Sequence, residues 1–213
     1  MKLLPLFPLP NVVLFPGVIL PLHIFEPRYR AMVADALDDD RRIGMVLLRP
    51  GWEGAYEERP PVYPVGCSGV IAHSMPLEDG RYYIVLQGLE RIRILEEDHA
   101  RAYRRAIVEP VPDPAVTGVD RQALGGLRDR LEAILRESGS TLSTASDARH
   151  TLPPSMPDEE LVHTLSFGLD LEPLEKQALL ERESLCRRAA SLVELLEMKR
   201  LGASMPFGSG RLH

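Results

Sequence analysis

The stretch from Leu3 to Phe25 constrains the fold most. It carries no Asp, Glu, Lys or Arg, and it is long enough for a membrane-spanning helix. The same stretch also holds Pro5, Pro8, Pro10, Pro16 and Pro21. An interior proline removes an amide donor and clashes with the preceding turn, at roughly 3 kcal/mol each. A continuous helix is therefore excluded, and short buried strands are predicted. Lys2 alone makes a thin basic leader and no small-residue cleavage site follows, so a signal peptide is not expected. Pro16-Gly17, between Val12–Phe15 and Val18–Leu22, predicts a turn joining two strands: proline presets φ and glycine tolerates positive φ.

Beyond this stretch the periodicity changes. Pro27 suits a first helical position, and Tyr29, Met32, Val33, Ala36 and Leu37 recur at helical spacing, which predicts a helix ending near Leu37. Asp38, Asp39 and Asp40 oppose the helix dipole and predict a solvated loop. Strands are expected at Ile43–Leu48, Val62–His73, Arg81–Leu86, Arg91–Leu95 and Ala102–Val111, with Gly66 and Gly69 as bulge positions. Trp52–Pro61 reads as a loop. From residue 120 the spacing of Leu124, Leu127, Leu131 and Ile134 predicts a helix over Asp120–Glu137. Ser138–Pro157 reads as a loop. Three more helices are expected: one capped by Asp158, one from Pro173 to Leu180, and a longer one after Ser184. The reading is α+β: a β-rich part over 1–115 with one inserted helix, a helical part over 120–200, and a Gly/Ser-rich tail over 201–213. No internal repeat is present.

Charge argues against one class of partner. The 213 residues carry 25 Lys+Arg against 31 Asp+Glu, a net charge of −6. Residues 1–115 hold 13 basic and 16 acidic groups and the remainder 12 and 15, so each part carries −3. Neither part offers a basic face for nucleic acid. Cys67 and Cys186 lie far apart, which fits two reduced, buried thiols in a cytoplasmic protein rather than a disulfide framework or a zinc site.

Motifs for chemistry are sparse. The six histidines make no HExxH and no paired Cys/His spacing. Glu160-x-x-His163 has di-iron spacing but stands alone, and it reads as a surface Glu and His on a helix. Gly66-Cys67-Ser68-Gly69 lacks the spacing of a nucleophile elbow. No phosphate-binding glycine loop occurs where a helix can follow. Lys176 and Lys199 fit solvated positions better than a Ser-Lys dyad. Arg91 and Arg93 read as charges on an exposed strand face. No catalytic residue, cofactor or metal is expected.

Three blocks carry a resemblance. They are Leu3-Leu4-Pro5-Leu6-Phe7-Pro8-Leu9, Asn11-Val12-Val13-Leu14-Phe15-Pro16-Gly17 and Leu20-Pro21-Leu22-His23-Ile24-Phe25-Glu26-Pro27-Arg28-Tyr29. Together they closely resemble the start of the Lon N-terminal, substrate-binding domain, and in particular its stand-alone bacterial branch. Tyr63-Pro64-Val65-Gly66-Cys67, Gly88-Leu89-Glu90-Arg91-Ile92-Arg93-Ile94 and Glu175-Lys176-Gln177-Ala178-Leu179-Leu180-Glu181 extend the likeness to roughly residues 1–200. The resemblance implies a PUA-like β domain followed by a C-terminal helical bundle. It also implies a role in recognising unfolded or degron-bearing polypeptides. In Lon this domain precedes an ATPase and a Ser-Lys peptidase, and this chain ends before either.

The expected function is therefore a non-enzymatic polypeptide-binding module of proteostasis. Its apolar contacts are sought at Trp52, Tyr56, Met75, Met205 and Phe207. RNA binding is the alternative, by fold analogy alone, and the acidic balance counts against it. Docking of a folded partner is a further alternative. Nothing in the motifs supports a hydrolase.

Overall fold

The computed structural model describes residues 3–54, 59–138 and 155–204. Eleven elements follow one another among them. Strands β1 (Leu4–Leu9) and β2 (Ile19–Ile24) precede helix α1 (Pro27–Leu37). Then come β3 (Arg42–Leu47), β4 (Val65–Pro76), β5 (Tyr82–Asp98) and β6 (Arg104–Pro110). Helices α2 (Gly118–Ser138), α3 (Asp158–Gly168), α4 (Pro173–Leu180) and α5 (Leu185–Ser204) complete the chain's α+β architecture.

The six strands form one mixed sheet in the order β2-β5-β4-β3-β1-β6, and β5 also pairs with β6. Five strands thereby close on themselves, and β2 is left outside the ring on the first half of β5. Only β1 and β3 run parallel; the other pairs are antiparallel. β1 lies between two neighbours yet contains two prolines. It pairs with β6 through Leu4–Leu6 and with β3 through Leu6–Leu9. The Leu9 carbonyl accepts from Leu48 on the β3 side, so positions 5, 7 and 9 face β3 while 4, 6 and 8 face β6. Pro5 therefore faces β3 before that pairing begins, and Pro8 faces β6 after that pairing has ended. Neither removes a ladder bond.

Three expectations need correction. Val12–Phe15 is not a strand. Val13, Leu14 and Phe15 are all buried, but the segment joins no ladder: its apolar run reports packing into the core, which an unpaired segment satisfies as well as a strand does. The Pro16-Gly17 turn itself forms, with Gly17 at φ 78°. Second, Arg81–Leu86 and Arg91–Leu95 are one 17-residue strand. Gly88 bridges them because the Phe15 backbone lies where a side chain would stand. Third, Asp158 is the first residue of α3 and Pro157 holds the cap position; the Asp158 carboxylate instead accepts from Arg128 at 2.7 Å.

The described core falls into two clusters. One cluster runs from Phe7, Phe15, Met32 and Leu86 to Leu131, Leu165 and Leu192. A smaller one inside the strand ring joins Leu4, Leu6, Val46, Ile92 and Ala106. Gln177 of α4 is buried and donates to the Val65 carbonyl at 2.9 Å, tying helix to strand. No described helix is long and apolar enough to cross a membrane. Residues 205–213 lie outside the described chain, so the expected tail beyond Ser204 does too.

Candidate functional site

β2 alternates strictly. Leu20 and Ile24 point into the core, while Ile19, Pro21 and His23 are exposed on the outer face. Cross-strand pairing then brings outward residues of three strands side by side. His23 lies opposite Tyr83, and Tyr83 opposite Met75. Pro21 lies opposite Val85, and Val85 opposite His73. The His23 and Tyr83 rings stack, with centroids 4.7 Å apart, and the Phe25 ring lies 5.8 Å from His23. Phe25 is 59% exposed, Ile19 52%, Met75 48% and Tyr83 46%. Large apolar residues scattered singly are ordinary on a surface, but a contiguous group marks a contact site. None of these residues is Asp, Glu, Lys or Arg, and Pro21, Leu22, His73, Met75, Tyr83 and Val85 line a shallow groove.

A second cluster lies where the strands meet the helices. Arg188 of α5 is fully buried. Its guanidinium takes both oxygens of Asp113, at 3.0 and 3.2 Å, and donates to the Leu179 and Arg182 carbonyls. Arg91 of β5 donates to the Leu180 and Arg182 carbonyls and to Asp113 at 2.7 Å. Arg91 is thus 3% exposed rather than on a solvent face, because the helices cover its side of the strand. Arg93 is the exposed member, 3.6 Å from Glu109. His163 is buried too, contrary to the surface position expected for it. The Pro16 carbonyl can only accept, so Nδ1 donates there at 3.1 Å; Arg188 can only donate, so Nε2 accepts at 3.0 Å. Burial, then the neighbouring Arg188 charge, push the His163 pKa down to about 4.

Asp113, Glu159 and His163 bring ligand atoms within 4.8 Å of one another. The donor set does not fit a cation. Both nitrogens of His163 are engaged, and both oxygens of Asp113 face guanidinium groups. The cluster is an ion-pair clamp between strands and helices.

Nor do the cysteines, the lysines or Ser68 stand as a nucleophile among the described residues. Cys67 is fully buried, and burial drives its thiol up to about 12. The Ser68 hydroxyl donates to the Glu90 carbonyl and accepts from Arg42. Cys186 is free and half-buried, less covered than expected. Lys176 is half-buried and donates to the Phe167 carbonyl at 2.6 Å, rather than standing in solvent. Lys199 pairs with Glu175 at 2.9 Å.

Of the contacts sought in the sequence, Met75 lies in the outer-face patch and Trp52 is half-buried in its loop. Tyr56, Met205 and Phe207 lie outside the described residues. The patch residues missed were Ile19, His23, Phe25 and Tyr83. Their signal was a strand apolar on both faces, which reads as fully buried until the sheet shows one face uncovered.

The family model for the ATP-dependent protease La (LON) substrate-binding domain matches residues 3–198. "Lon protease 2" of Myxococcus xanthus is 32% identical over 204 residues, which cover 93% of this chain and 24% of that protein. "Lon protease" of Anaeromyxobacter dehalogenans is 32% identical over 201 residues, 92% of this chain and 23% of that protein. The chain thus spans about a quarter of the length of these relatives. Among solved structures, the N-terminal domain of Mycobacterium avium complex Lon protease superposes with a TM-score of 0.64 at 20% identity, covering 92% of this chain and 98% of that one. The Lon N-terminal domain protein from Xanthomonas campestris gives 0.57 at 22% identity, covering 97% and 100%. These two structures share the fold described above. With the family match running from β1 into α5, the chain belongs to the family of Lon substrate-binding domains.

Proposed function

We propose that this protein is a non-enzymatic polypeptide-binding module of the cytoplasm, taking unfolded or degron-bearing chains as its partners. In this reading a PUA-like barrel over residues 1–115 carries the binding face and a helical bundle over 120–200 braces it. The observation that carries the proposal is the largely apolar, aromatic patch of His23, Phe25, Met75 and Tyr83 on the outer face of the sheet. Unfolded chains offer apolar side chains that folded proteins hide, and such a patch gains by covering them. The lack of Lys or Arg in the patch disfavours RNA, whose phosphates require cations. Trp52, Tyr56, Met205 and Phe207 remain candidate contacts.

The test is fluorescence anisotropy with labelled, reduced and carboxymethylated α-lactalbumin, beside the native form and a single-stranded RNA. Saturable binding of the unfolded chain alone is expected. Phe25→Ser and Tyr83→Ser should each weaken it about tenfold, as central aromatic contacts do. No binding of the unfolded chain up to about 100 μM, weaker than roughly −5.5 kcal/mol, overturns the reading. Binding of the native form or the RNA in its place does the same.

A further inference from the structure

β2 is the end strand of the sheet and pairs with β5 alone among the described strands. Its hydrogen-bond phase follows from one bond. The Val18 carbonyl accepts from the Gly88 N–H at 2.9 Å, and positions 18 and 88 continue the register that pairs Ile19 with Gln87. In an antiparallel ladder, bonded and non-bonded pairs alternate. Leu20, Leu22 and Ile24 therefore turn their backbone groups toward β5. Ile19, Pro21 and His23 turn theirs away, into the open edge. That edge presents two N–H donors, at Ile19 and His23, and three carbonyl acceptors, with the gap in the donor row at Pro21. Proline on an edge strand blunts it against indiscriminate pairing, and here the blunting is partial.

We propose that the open edge of β2 takes an extended, uncharged apolar polypeptide segment as an added strand. The partner is defined by complementarity of partial charge. A row of donors and acceptors repeating about every 6.8 Å matches the backbone of another extended strand. The edge is also continuous with the patch around Tyr83, and Ile19, His23 and Phe25 include no Asp, Glu, Lys or Arg, so alternate apolar side chains of the added strand extend the same outer face. The proposal rests on the polypeptide-binding reading and states its mode: backbone bonds set affinity, and side-chain alternation sets preference.

Pro21 separates this mode from a contact made by side chains alone. Pro21→Ala trims apolar surface but supplies a third edge donor. With reduced, carboxymethylated α-lactalbumin as probe and the full chain as receptor, Pro21→Ala should tighten binding about threefold to tenfold, the worth of one net hydrogen bond. Ile19→Pro, which removes an edge donor outside the β2–β5 ladder, should weaken it by a similar factor, while Ile19→Val stays within about twofold of the wild type. In the wild-type protein, probe binding should slow amide exchange at Ile19 and His23 at least tenfold and leave Leu20 and Leu22 unchanged, a readout that needs no variant to fold. Unslowed exchange at Ile19 and His23, or weaker binding by Pro21→Ala, overturns the strand mode while leaving polypeptide binding intact. Pairing of β2 with β2 in a second copy, seen as self-association without probe binding, overturns it too. Failure of the wild type to bind the probe at all overturns both readings.

Discussion

His163 shows how position determines the state of a side chain. The carbonyl on one side and the guanidinium on the other assign each ring nitrogen a single role, so the neutral imidazole is the form that fits. Adding a proton at Nε2 would aim an N–H at Arg188. The folded-state pKa of about 4 lies below the ordinary 6.5, so between those values the unfolded chain binds more protons than the folded one. Stability therefore falls as pH drops through 6.5 toward 4, and the loss is complete below the lower value. Between pH 7 and pH 5 the expected loss from this residue is about 2 kcal/mol. Guanidinium denaturation at the two pH values checks it. His163→Asn should lower stability at pH 7 and flatten the slope between them; an unchanged slope would remove His163 as its source.

At the scale of elements, β5 is the strand the others depend on. Its first half holds β2, its second half closes the ring onto β6, and β4 runs along its other side. That length requires a residue without a side chain at Gly88, where an added Cβ would stand 3.0 Å from the Phe15 carbonyl carbon and closer still to its oxygen. A backbone neighbour cannot rotate away as a side chain would. Gly88→Ala is expected to cost about 1–3 kcal/mol, as overpacking does. The loss should appear as a lowered denaturation midpoint, together with faster amide exchange in Leu20 and Leu22. A midpoint within error of the wild type would mean that the Phe15 segment yields freely.

Among the described residues, the strand-to-helix junction is held by the shared apolar cluster, the Gln177–Val65 and His163–Pro16 bonds, and the Arg91–Asp113–Arg188 clamp. A buried ion pair adds little over an apolar equivalent, but removing one partner strands the other at a cost of about 3–5 kcal/mol. The clamp thus specifies how helices seat on strands more than it adds to stability. Unfolding should be one cooperative transition. Far-UV circular dichroism, dominated by α2 to α5, and near-UV signals of Tyr29 and Tyr103 beside the strands should share one midpoint. Two separated midpoints would show that the junction yields first.

Much of this was legible from local rules. Pro27 marked the start of α1 and the acidic run placed its end near Leu37, and the Leu spacing from residue 124 placed α2, because helix ends and faces depend on nearby residues. The prolines before Phe25 excluded a helix for the same reason. The alternation of Ile19, Pro21, His23 and Phe25 was also present, yet whether that face meets a helix or water depends on which elements pack there. Arg91 and His163 reverse the case: both are polar residues that local patterns place in solvent and that the helices cover. Residue spacing determines which side a side chain takes. Only the tertiary packing decided what lies on that side, because burial is set by contacts between segments far apart in the chain.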